Sequence, residues 1–404
     1  MTPAGTLNRS AALRLILILG IVSLFGDIIY EGSRSVTGPY LLLLGASALT
    51  VAFVAGFGEF IGYAARLVSG YLSDRTGNYW TYTIAGYLMI GAIPLLVFVQ
   101  AWEAAAVLIL IERLGKGIRS PAKDTILSHA AHQVGRGWGF GIHEAFDQVG
   151  AIIGPLVFAV SLALFGGYET GFAILALPFA LLVVALMYAR LRSPDPAEYE
   201  NERVPVQAPP HSSRILLRYG TFTFLTMAGF AVFPLMAYHF SAAAVVPTAQ
   251  IPIFYAIAMA ADALCALVIG KYYDRSGITV LVAVPLASIP IAALAFAGGY
   301  YHALAAAVLW GISMGGQETV LRAALADLTS IKKRGWAYGV FNTLYGGAWF
   351  AGSIVLGILY ELDIRILVGY TVVMQAAALV AFFRLWRAVK DIWKSPDRML
   401  EDLS

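Results

Sequence analysis

GYLSDRTG, at residues 70–77, recurs as GKYYDRSG at residues 270–277, an offset of 200 residues. RGWGFG, at residues 136–141, recurs as RGWAYG at residues 334–339, an offset of 198 residues. Two separate matches at nearly one offset indicate that the chain contains the same structural unit twice. Each copy of the first motif follows a long apolar stretch and is followed by another, so the motif predicts a short polar turn between two helices.

The composition around these copies is that of a membrane protein. Of 404 residues, 59% are apolar and 13% are charged, and the mean hydropathy is +0.75. A helix that crosses a bilayer needs about 20 mostly apolar residues, and we predict twelve such spans. They are residues 12–33, 48–73, 79–100, 102–125, 138–164, 168–191, 215–239, 248–273, 278–299, 301–327, 336–361 and 365–389. The predicted fold is an all-α membrane protein with two pseudo-symmetric six-helix bundles.

The longest polar stretch separates the sixth span from the seventh and predicts a cytoplasmic linker. We therefore predict an N-terminal bundle at 1–192, a linker at 193–214, a C-terminal bundle at 215–390 and a cytoplasmic tail at 391–404. The first span lacks a signal-peptide cleavage pattern, which predicts a retained helix. If both termini are cytoplasmic, 19 of the 27 Lys and Arg residues fall in inside segments. Cationic loops resist translocation, so this bias predicts that topology in a cytoplasmic (inner) membrane.

Charge and cysteine content narrow the class of protein further. The net charge of +3 follows from the loop bias and requires no nucleic-acid partner. The single cysteine, Cys265, excludes an intramolecular disulfide and a thiolate metal cluster. No nucleotide-binding loop, activated nucleophile or complete metal site is evident, so we expect neither an enzyme nor a bound cofactor. The expected partners are the lipid bilayer, a small-molecule substrate and protons, and we expect a monomer.

The G-x-x-x-D-R-x-G pattern of both copies resembles the signature loop of the major facilitator superfamily. The resemblance covers the whole chain and implies two six-helix bundles that work by alternating access. It also implies gating roles for Gly70, Asp74, Arg75 and Gly77, for Gly270, Asp274, Arg275 and Gly277, and for Asp124 near the end of the fourth span. The chain departs from the family where basic residues usually follow the second glycine, since Asn78 and Tyr79 stand there. A plain polar turn is the alternative for Asp74 and Arg75.

Ionisable residues inside the predicted spans point to coupling, because each costs about 2.5–3.5 kcal/mol on insertion scales. Burial favours a neutral carboxyl group and a nearby cation favours the charged form, so a carboxylate beside an Arg can exchange a proton. Arg113 lies in RLGKG, which resembles the family's R-x-x-x-G element associated with proton transfer. We predict proton coupling by Asp27, Glu31, Arg113, Glu144 and Asp147. The alternative is that these groups neutralise one another as a structural network.

Substrate contacts are predicted on polar and aromatic residues of the spans that line the central cavity in the family, by resemblance. They are Tyr30, Arg34, Glu59, Trp310, Gln317, Glu318, Asn342 and Tyr345. Because both signs of charge occur among them, a charged or zwitterionic solute is favoured over a neutral hydrocarbon.

The fifth span bears on the direction of transport. Gly150-Ala-Ile-Ile-Gly154-Pro155 partly matches the G-x-x-x-G-P element of family exporters, although close helix packing explains the same residues. The leading hypothesis is a proton-coupled antiporter that exports a drug-like or charged organic solute. One alternative is a carrier of a metal ion or metal chelate, because acid-rich first helices also suit cations. Another is a substrate sensor that has lost transport.

Overall fold

The computed structural model describes residues 4–195, 213–329 and 334–394, and in these ranges the chain is mostly helical and contains no β-strand. The predicted all-α fold is therefore confirmed. Most of the predicted linker at 193–214 and of the predicted tail at 391–404 lies outside the described residues.

Seven helices form the first half of the chain. They are α1 (Ala4–Leu43), α2 (Ala48–Thr76), α3 (Tyr79–Met89), α4 (Trp102–Val134), α5 (Arg136–Phe165), α6 (Tyr168–Ile174) and α7 (Ala176–Arg192). Two 3₁₀ turns, Ile90–Ala92 and Pro94–Phe98, extend α3, and the change of helix type coincides with Pro94, which has no N–H to donate. Only Leu175 separates α6 from α7, so together these two helices occupy the sixth predicted span.

Eight helices form the second half. They are α8 (Ser213–Ala228), α9 (Phe233–Ala242), α10 (Ile251–Ser276), α11 (Ala283–Phe296), α12 (Tyr300–Gly316), α13 (Arg322–Asp327), α14 (Arg334–Leu362) and α15 (Ile364–Lys394). A π-helical turn, Gln317–Leu321, joins α12 to α13, and 3₁₀ turns at Thr248–Gln250 and Gly277–Val282 flank α10.

Within the described residues, nine helical stretches are long and apolar enough to cross a membrane. One of them, Thr248–Phe296, contains two of the predicted spans. The predicted spans 102–125 and 301–327 are absent from the nine, and the first of these corresponds to the highly charged α4. The number of twelve spans stays a prediction.

The chain separates into two compact units. Unit 1 comprises the described parts of 1–47, 57–204 and 247–259, and unit 2 comprises those of 48–56, 205–246 and 260–404. Helices α2 and α10 each contribute residues to both units. The predicted domain boundaries at 192 and 215 stay a prediction.

Glycines set the close helix contacts of unit 1. A Cβ atom on Gly32 of α1 would lie 3.0 Å from the backbone oxygen of Gly154 in α5, and a Cβ on Gly154 would lie 2.7 Å from the backbone nitrogen of Gly32. The pair Gly86 and Gly115 brings α3 against α4 in the same way. Because no side chain separates these backbones, the helix backbones are in direct contact at the glycine positions.

Unit 2 contains a helix break and a π-turn. Residues 229–232 between α8 and α9 are not helical, and buried side chains bond the backbone there. The indole of Trp310 donates to the carbonyl of Ala231 at 2.9 Å, and the hydroxyl of Tyr370 donates to that of Ala228 at 3.0 Å. These bonds satisfy carbonyl groups that the break removes from helical pairing.

Gly154→Ala is expected to lower the free energy of unfolding by about 1–3 kcal/mol, because the added methyl group overpacks the contact between α1 and α5. The measurement is denaturant-induced unfolding of the purified protein in mixed micelles.

Gly141→Ala is the matched control, since it lies on the same helix and a Cβ there would meet nothing within 4 Å. Equal effects of the two substitutions would contradict the proposed packing constraint.

Candidate functional site

A cluster of acids, bases and tyrosines lies inside unit 1, and we call it the Glu31 cluster. Its members are Tyr30, Glu31 and Arg34 of α1, Glu59 of α2, Glu112, Arg113 and Lys116 of α4, and Tyr255 of α10. Helical spacing places the α1 members on one face and the α4 members on another. Gly58 of α2 makes room for Arg113, since a Cβ atom there would lie 2.8 Å from the Cγ atom of Arg113.

Glu59 is shared by two arginines. Its Oε1 atom lies 3.0 Å from Nη2 of Arg34 and 3.5 Å from Nη1 of Arg113, and its side chain is 14% exposed. Each arginine comes from a different helix, so this one carboxylate holds α1 and α4 to α2. Removing one partner of a buried ion pair leaves an uncompensated charge, which makes Glu59 a structural centre of the cluster.

Glu31 has a different set of contacts. The hydroxyl of Tyr255 donates to its Oε2 atom at 2.5 Å, whereas Nη1 of Arg34 lies 4.0 Å from that oxygen and Nζ of Lys116 lies 4.0 Å from Oε1. The two cations are beyond hydrogen-bonding distance. Glu31 is only 8% exposed, so it is a buried carboxylate with one short bond and two loose ion pairs.

The ring of Tyr30 lies among the cations of the cluster. Nζ of Lys116 is 3.5 Å and Cζ of Arg113 is 4.4 Å from its centroid, and Nη1 of Arg34 donates to its hydroxyl at 3.0 Å. Cation–π contacts of this kind are worth about 2 kcal/mol or more when desolvated. The ring therefore helps to hold positive charge inside the protein.

The formal charges of the Glu31 cluster balance. Three carboxylates, Glu31, Glu59 and Glu112, face three cations, Arg34, Arg113 and Lys116. Hydrogen bonding is less complete, because the buried Oε1 of Glu112 and Nη1 of Arg113 have no hydrogen-bond partner in the described part of the chain.

A second polar group in unit 1 surrounds His143 of α5, and we call it the His143 cluster. Ser23 Oγ lies 3.0 Å and Lys123 Nζ lies 3.2 Å from Nε2 of His143, and Asp147 Oδ2 lies 3.4 Å from its Nδ1. The hydroxyl of Tyr87 lies 3.2 Å from that of Ser23. This cluster joins α1, α3, α4 and α5.

The predicted coupling residues are thus divided between three environments. Glu31 and Arg113 belong to the Glu31 cluster, and Asp147 belongs to the His143 cluster. Asp27 of α1 is close enough to Asp147 for their charges to interact. Glu144 is exposed at the protein surface and accepts a hydrogen bond from Gln148 at 3.1 Å.

The predicted substrate residues fall in both units. Tyr30, Arg34 and Glu59 lie in the Glu31 cluster of unit 1. In unit 2, the hydroxyl of Tyr345 donates to Oε1 of Gln317 at 3.2 Å, and Nε2 of Gln317 donates to Ser313 at 3.0 Å.

The remaining three predicted substrate residues are close in sequence to Ser313, Gln317 and Tyr345, the hydrogen-bonded residues of unit 2. Trp310 is fully buried against the helix break, Asn342 is partly buried, and Glu318 is exposed.

The predicted gating residues of the two repeated motifs lie in or just after the last turns of α2 and α10, whereas Asp124 lies within α4, which continues to Val134. Asp74, Arg75, Asp274 and Arg275 are exposed, Gly70 and Gly270 are partly buried, and Gly77 and Gly277 have φ values of 67° and 55°. Glycine adopts this left-handed conformation without strain, which explains why it closes both motifs.

Two of the predicted gating carboxylates have specific neighbours in the structure. Asp124 pairs with Lys123 at 3.2 Å. Asp274 lines a cavity of about 670 Å³ in unit 2 together with Asp327 and Trp386.

The predicted site residues leave out seven residues that the structure places in these clusters, namely Glu112, Lys116 and Tyr255 of the Glu31 cluster and Ser23, Tyr87, Lys123 and His143 of the His143 cluster. Glu112 and Lys116 are charged residues inside a span, and that signal could have included them. His143 stands four residues before Asp147, a helical spacing that also could have done so. No pattern singles out Tyr255, because its contact with Glu31 joins residues 224 positions apart.

The metal hypothesis finds no structural support in the described ranges. Among residues 4–195, 213–329 and 334–394, no group of three or more His, Cys, Asp and Glu residues is placed to hold a metal ion.

Glu59→Gln is expected to lower the free energy of unfolding by about 3–5 kcal/mol, because it leaves Arg34 and Arg113 without their shared counter-charge. Combining it with Arg34→Gln should cost less than the sum of the two single changes, by about 0.5–3 kcal/mol. Unfolding in mixed micelles measures all three variants. If the losses are additive, the ion pair between Glu59 and Arg34 contributes nothing to stability. Glu103→Gln, at an exposed site in the first turn of α4, is the control.

Comparison with known proteins places this architecture in a family. The family model for the Major Facilitator Superfamily matches residues 17–352. An uncharacterized protein of Mycobacterium bovis is 41% identical over 382 residues, which cover 93% of this chain and 93% of the relative. An uncharacterized MFS-type transporter of Methanocaldococcus jannaschii is 24% identical over 379 residues, which cover 90% of this chain and 94% of the relative.

A solved structure is similar over almost the whole fold. It is a crystal structure of a variant of the nucleoside transporter NupG, with a TM-score of 0.74 and 19% identity, and the match covers 91% of this chain and 100% of that chain. At this identity the likeness shows the fold alone. The family match supplies the function in its coarse form, since members of this family are membrane transporters and not enzymes. The chain belongs to the major facilitator superfamily and is a multi-pass membrane transporter of a small molecule.

Proposed function

We propose that the protein is a proton-coupled antiporter that exports a charged, drug-like organic solute. The observation that carries the proposal is the position of Glu31, a buried carboxylate in a cluster of balanced charge that holds it with one short bond and two loose ion pairs. Glu31 can exchange its counter-ions for a proton or a cationic solute more readily than Glu59 can, because its ion pairs are longer.

Charge balance explains why exchange is the favoured mode. A proton on Glu31 and a solute cation beside it each add one positive charge to a cluster whose net charge is zero. In a low-dielectric interior, two added charges repel strongly, so the proton and the cation exclude one another. Mutually exclusive binding at one site is the condition for antiport, because a carrier that has released one ligand returns with the other.

The contact between α1 and α5 supports export only because its glycines partly match the sequence element of family exporters. Gly150 and Gly154, which match the exporter element in part, lie against the backbone of α1, where Cβ atoms would meet Leu24 and Ile28. A contact between bare backbones suits two helices that move as one body or slide in small steps. Export therefore rests on the sequence element, and the packing is compatible with it.

The gate and the topology complete the proposal. Asp74 and Arg75, with Asp274 and Arg275 in the second copy, act at cytoplasmic helix ends, and Asp124 acts from within α4. The protein lies in the cytoplasmic membrane with both termini inside, as the Lys and Arg bias indicates, and works as a monomer. Solutes of this class include lipophilic organic cations, for which ethidium is a practical probe.

Glu31→Gln is expected to abolish pH-gradient-driven movement of ethidium in proteoliposomes, because glutamine cannot exchange a proton. Fluorescence of ethidium on DNA trapped inside the vesicles reports its entry. Glu103→Gln, on the surface of α4, should transport at the wild-type rate. A Glu31→Gln variant with an unchanged response to the pH gradient would overturn coupling at this residue.

Asp74→Asn is expected to slow transport several-fold while leaving ethidium binding unchanged, because a gate residue affects the exchange between states and not the solute site. Flux and thermal stabilisation by ethidium are measured on the same preparation. Asn78→Asp, which changes charge four residues further along the same exposed turn, controls for surface charge. Unaltered flux in Asp74→Asn would identify the motif as a plain turn.

A further inference from the structure

The His143 cluster has no part in the exchange proposed at Glu31, although it contains a histidine that is only 3% exposed. Histidine is the side chain whose charge ordinarily changes between about pH 5 and 8. A buried histidine that bonds through both ring nitrogens has a defined protonation state, and here the contacts identify that state.

The neighbours of His143 fix its tautomer. Lys123 Nζ lies 3.2 Å and Ser23 Oγ lies 3.0 Å from Nε2. An ammonium group can only donate, so Nε2 must carry the lone pair. The proton then resides on Nδ1, which faces Asp147 Oδ2 at 3.4 Å. These contacts fit a neutral ring, with Nε2 accepting from Lys123 and Nδ1 directed at a carboxylate.

Several charged and titratable groups lie around His143 on the helices of the cluster. Lys123 of α4 and Asp147 of α5 contact the ring, Tyr87 of α3 contacts Ser23, and Asp124 of α4 pairs with Lys123. Asp27 of α1 and Arg119 of α4 interact electrostatically with Asp147, and Glu144 of α5 lies at the surface. Among the groups in direct contact, the two carboxylates of Asp147 and Asp124 stand against the single cation Lys123 while His143 is neutral. One additional positive charge on the imidazole would balance the group.

Lys123 connects this histidine to a gating residue. Its ammonium lies 3.2 Å from His143 and also 3.2 Å from Oδ1 of Asp124, a carboxylate whose side chain is 54% exposed. A proton on Nε2 would point at the ammonium, so the imidazolium and Lys123 could not keep their present distance. In the described part of the chain, Lys123 lies within ion-pair distance of Asp124, and its charge also interacts with that of Asp147.

We infer that His143 is a second proton-binding site, and that its protonation breaks the contact between Lys123 and Nε2 of His143 and leaves Lys123 paired with Asp124. The proton moves from water to Nε2, no covalent bond to carbon changes, and the imidazolium pairs with Asp147. The proton site stands independently of Glu31, whereas its effect on the gate rests on the role proposed above for Asp124. The site would let cytoplasmic pH bias the gate.

Nuclear magnetic resonance of the full-length protein, labelled with ¹⁵N-histidine, tests the proton site between about pH 5 and 8. His143→Gln identifies the signal. The expected result is a neutral, Nδ1-protonated ring at high pH that becomes an imidazolium at low pH. A ring that stays in one protonation state across this range, or that carries its proton on Nε2 when neutral, would overturn the inference.

Two variants test the role of Lys123. Lys123→Met should move the midpoint of the His143 titration to higher pH by about one unit, because a cation no longer opposes the imidazolium. Lys271→Met, at an exposed lysine of unit 2, should leave it unchanged. If Lys123→Met does not fold, Ser23→Ala removes the other donor to Nε2 and should shift the midpoint in the same direction. An unmoved midpoint in the folded variant contradicts the assignment.

Cysteine labelling tests the link to the gate. Thr125→Cys, placed beside Asp124 in a Cys265→Ser background, is labelled at about pH 6 and pH 8, on either side of the ordinary histidine range. Each rate is divided by the rate at which the same reagent labels a small free thiol at that pH, because the thiolate fraction of any cysteine changes over this range. The corrected rate should differ between the two pH values, and His143→Gln should bring the ratio of corrected rates to one. If His143→Gln leaves this ratio unchanged, protonation of His143 does not affect the gate. Neither experiment needs a transported solute, so their outcome is independent of the test at Glu31.

Discussion

The sharing of Glu59 between Arg34 and Arg113 is the constraint on which unit 1 depends. Two guanidinium groups on different helices converge on one carboxylate oxygen in a region where water cannot replace a missing partner. A change in the charge of Glu59, Arg34 or Arg113 therefore affects ion pairs on all three helices, α1, α2 and α4. Gly58 leaves space for Arg113 to reach the shared oxygen, so even the backbone of α2 is adapted to this pair. Once these ions are fixed, Glu31 is left beside cations that it cannot bond closely.

Sequence patterns predicted the elements and part of the site, for reasons that can be stated for particular residues. Apolar runs specify helices in a bilayer, and the helical spacing of Glu31 and Arg34 places both in one cluster. Charged residues inside spans also drew attention to Arg113. Tyr255 could not be found in this way, since tertiary packing alone brings it to Glu31. The helix break at 229–232 and the π-turn at Gln317–Leu321 leave no periodic signal either.

The two halves of the duplication have diverged in the kind of polar interaction they bury. Unit 1 buries the ion pairs of the Glu31 cluster, and unit 2 buries, besides Asp262, a ladder of neutral groups that runs through Ser313, Gln317 and Tyr345. Neutral hydrogen bonds cost less to bury than ions and change little with pH. Under the proposed function, unit 1 responds to protons and the neutral ladder of unit 2 offers hydrogen-bonding groups to the solute.

The contact between Gly32 and Gly154 has a consequence for how proton sites can communicate. Because the backbones of α1 and α5 touch there, no layer of side chains separates the helix that contains Glu31 from the helix that contains His143. If the two helices move as one body, the separation between these two ionisable groups stays the same through the transport cycle. Any influence of one group on the other is then electrostatic and is present in every state.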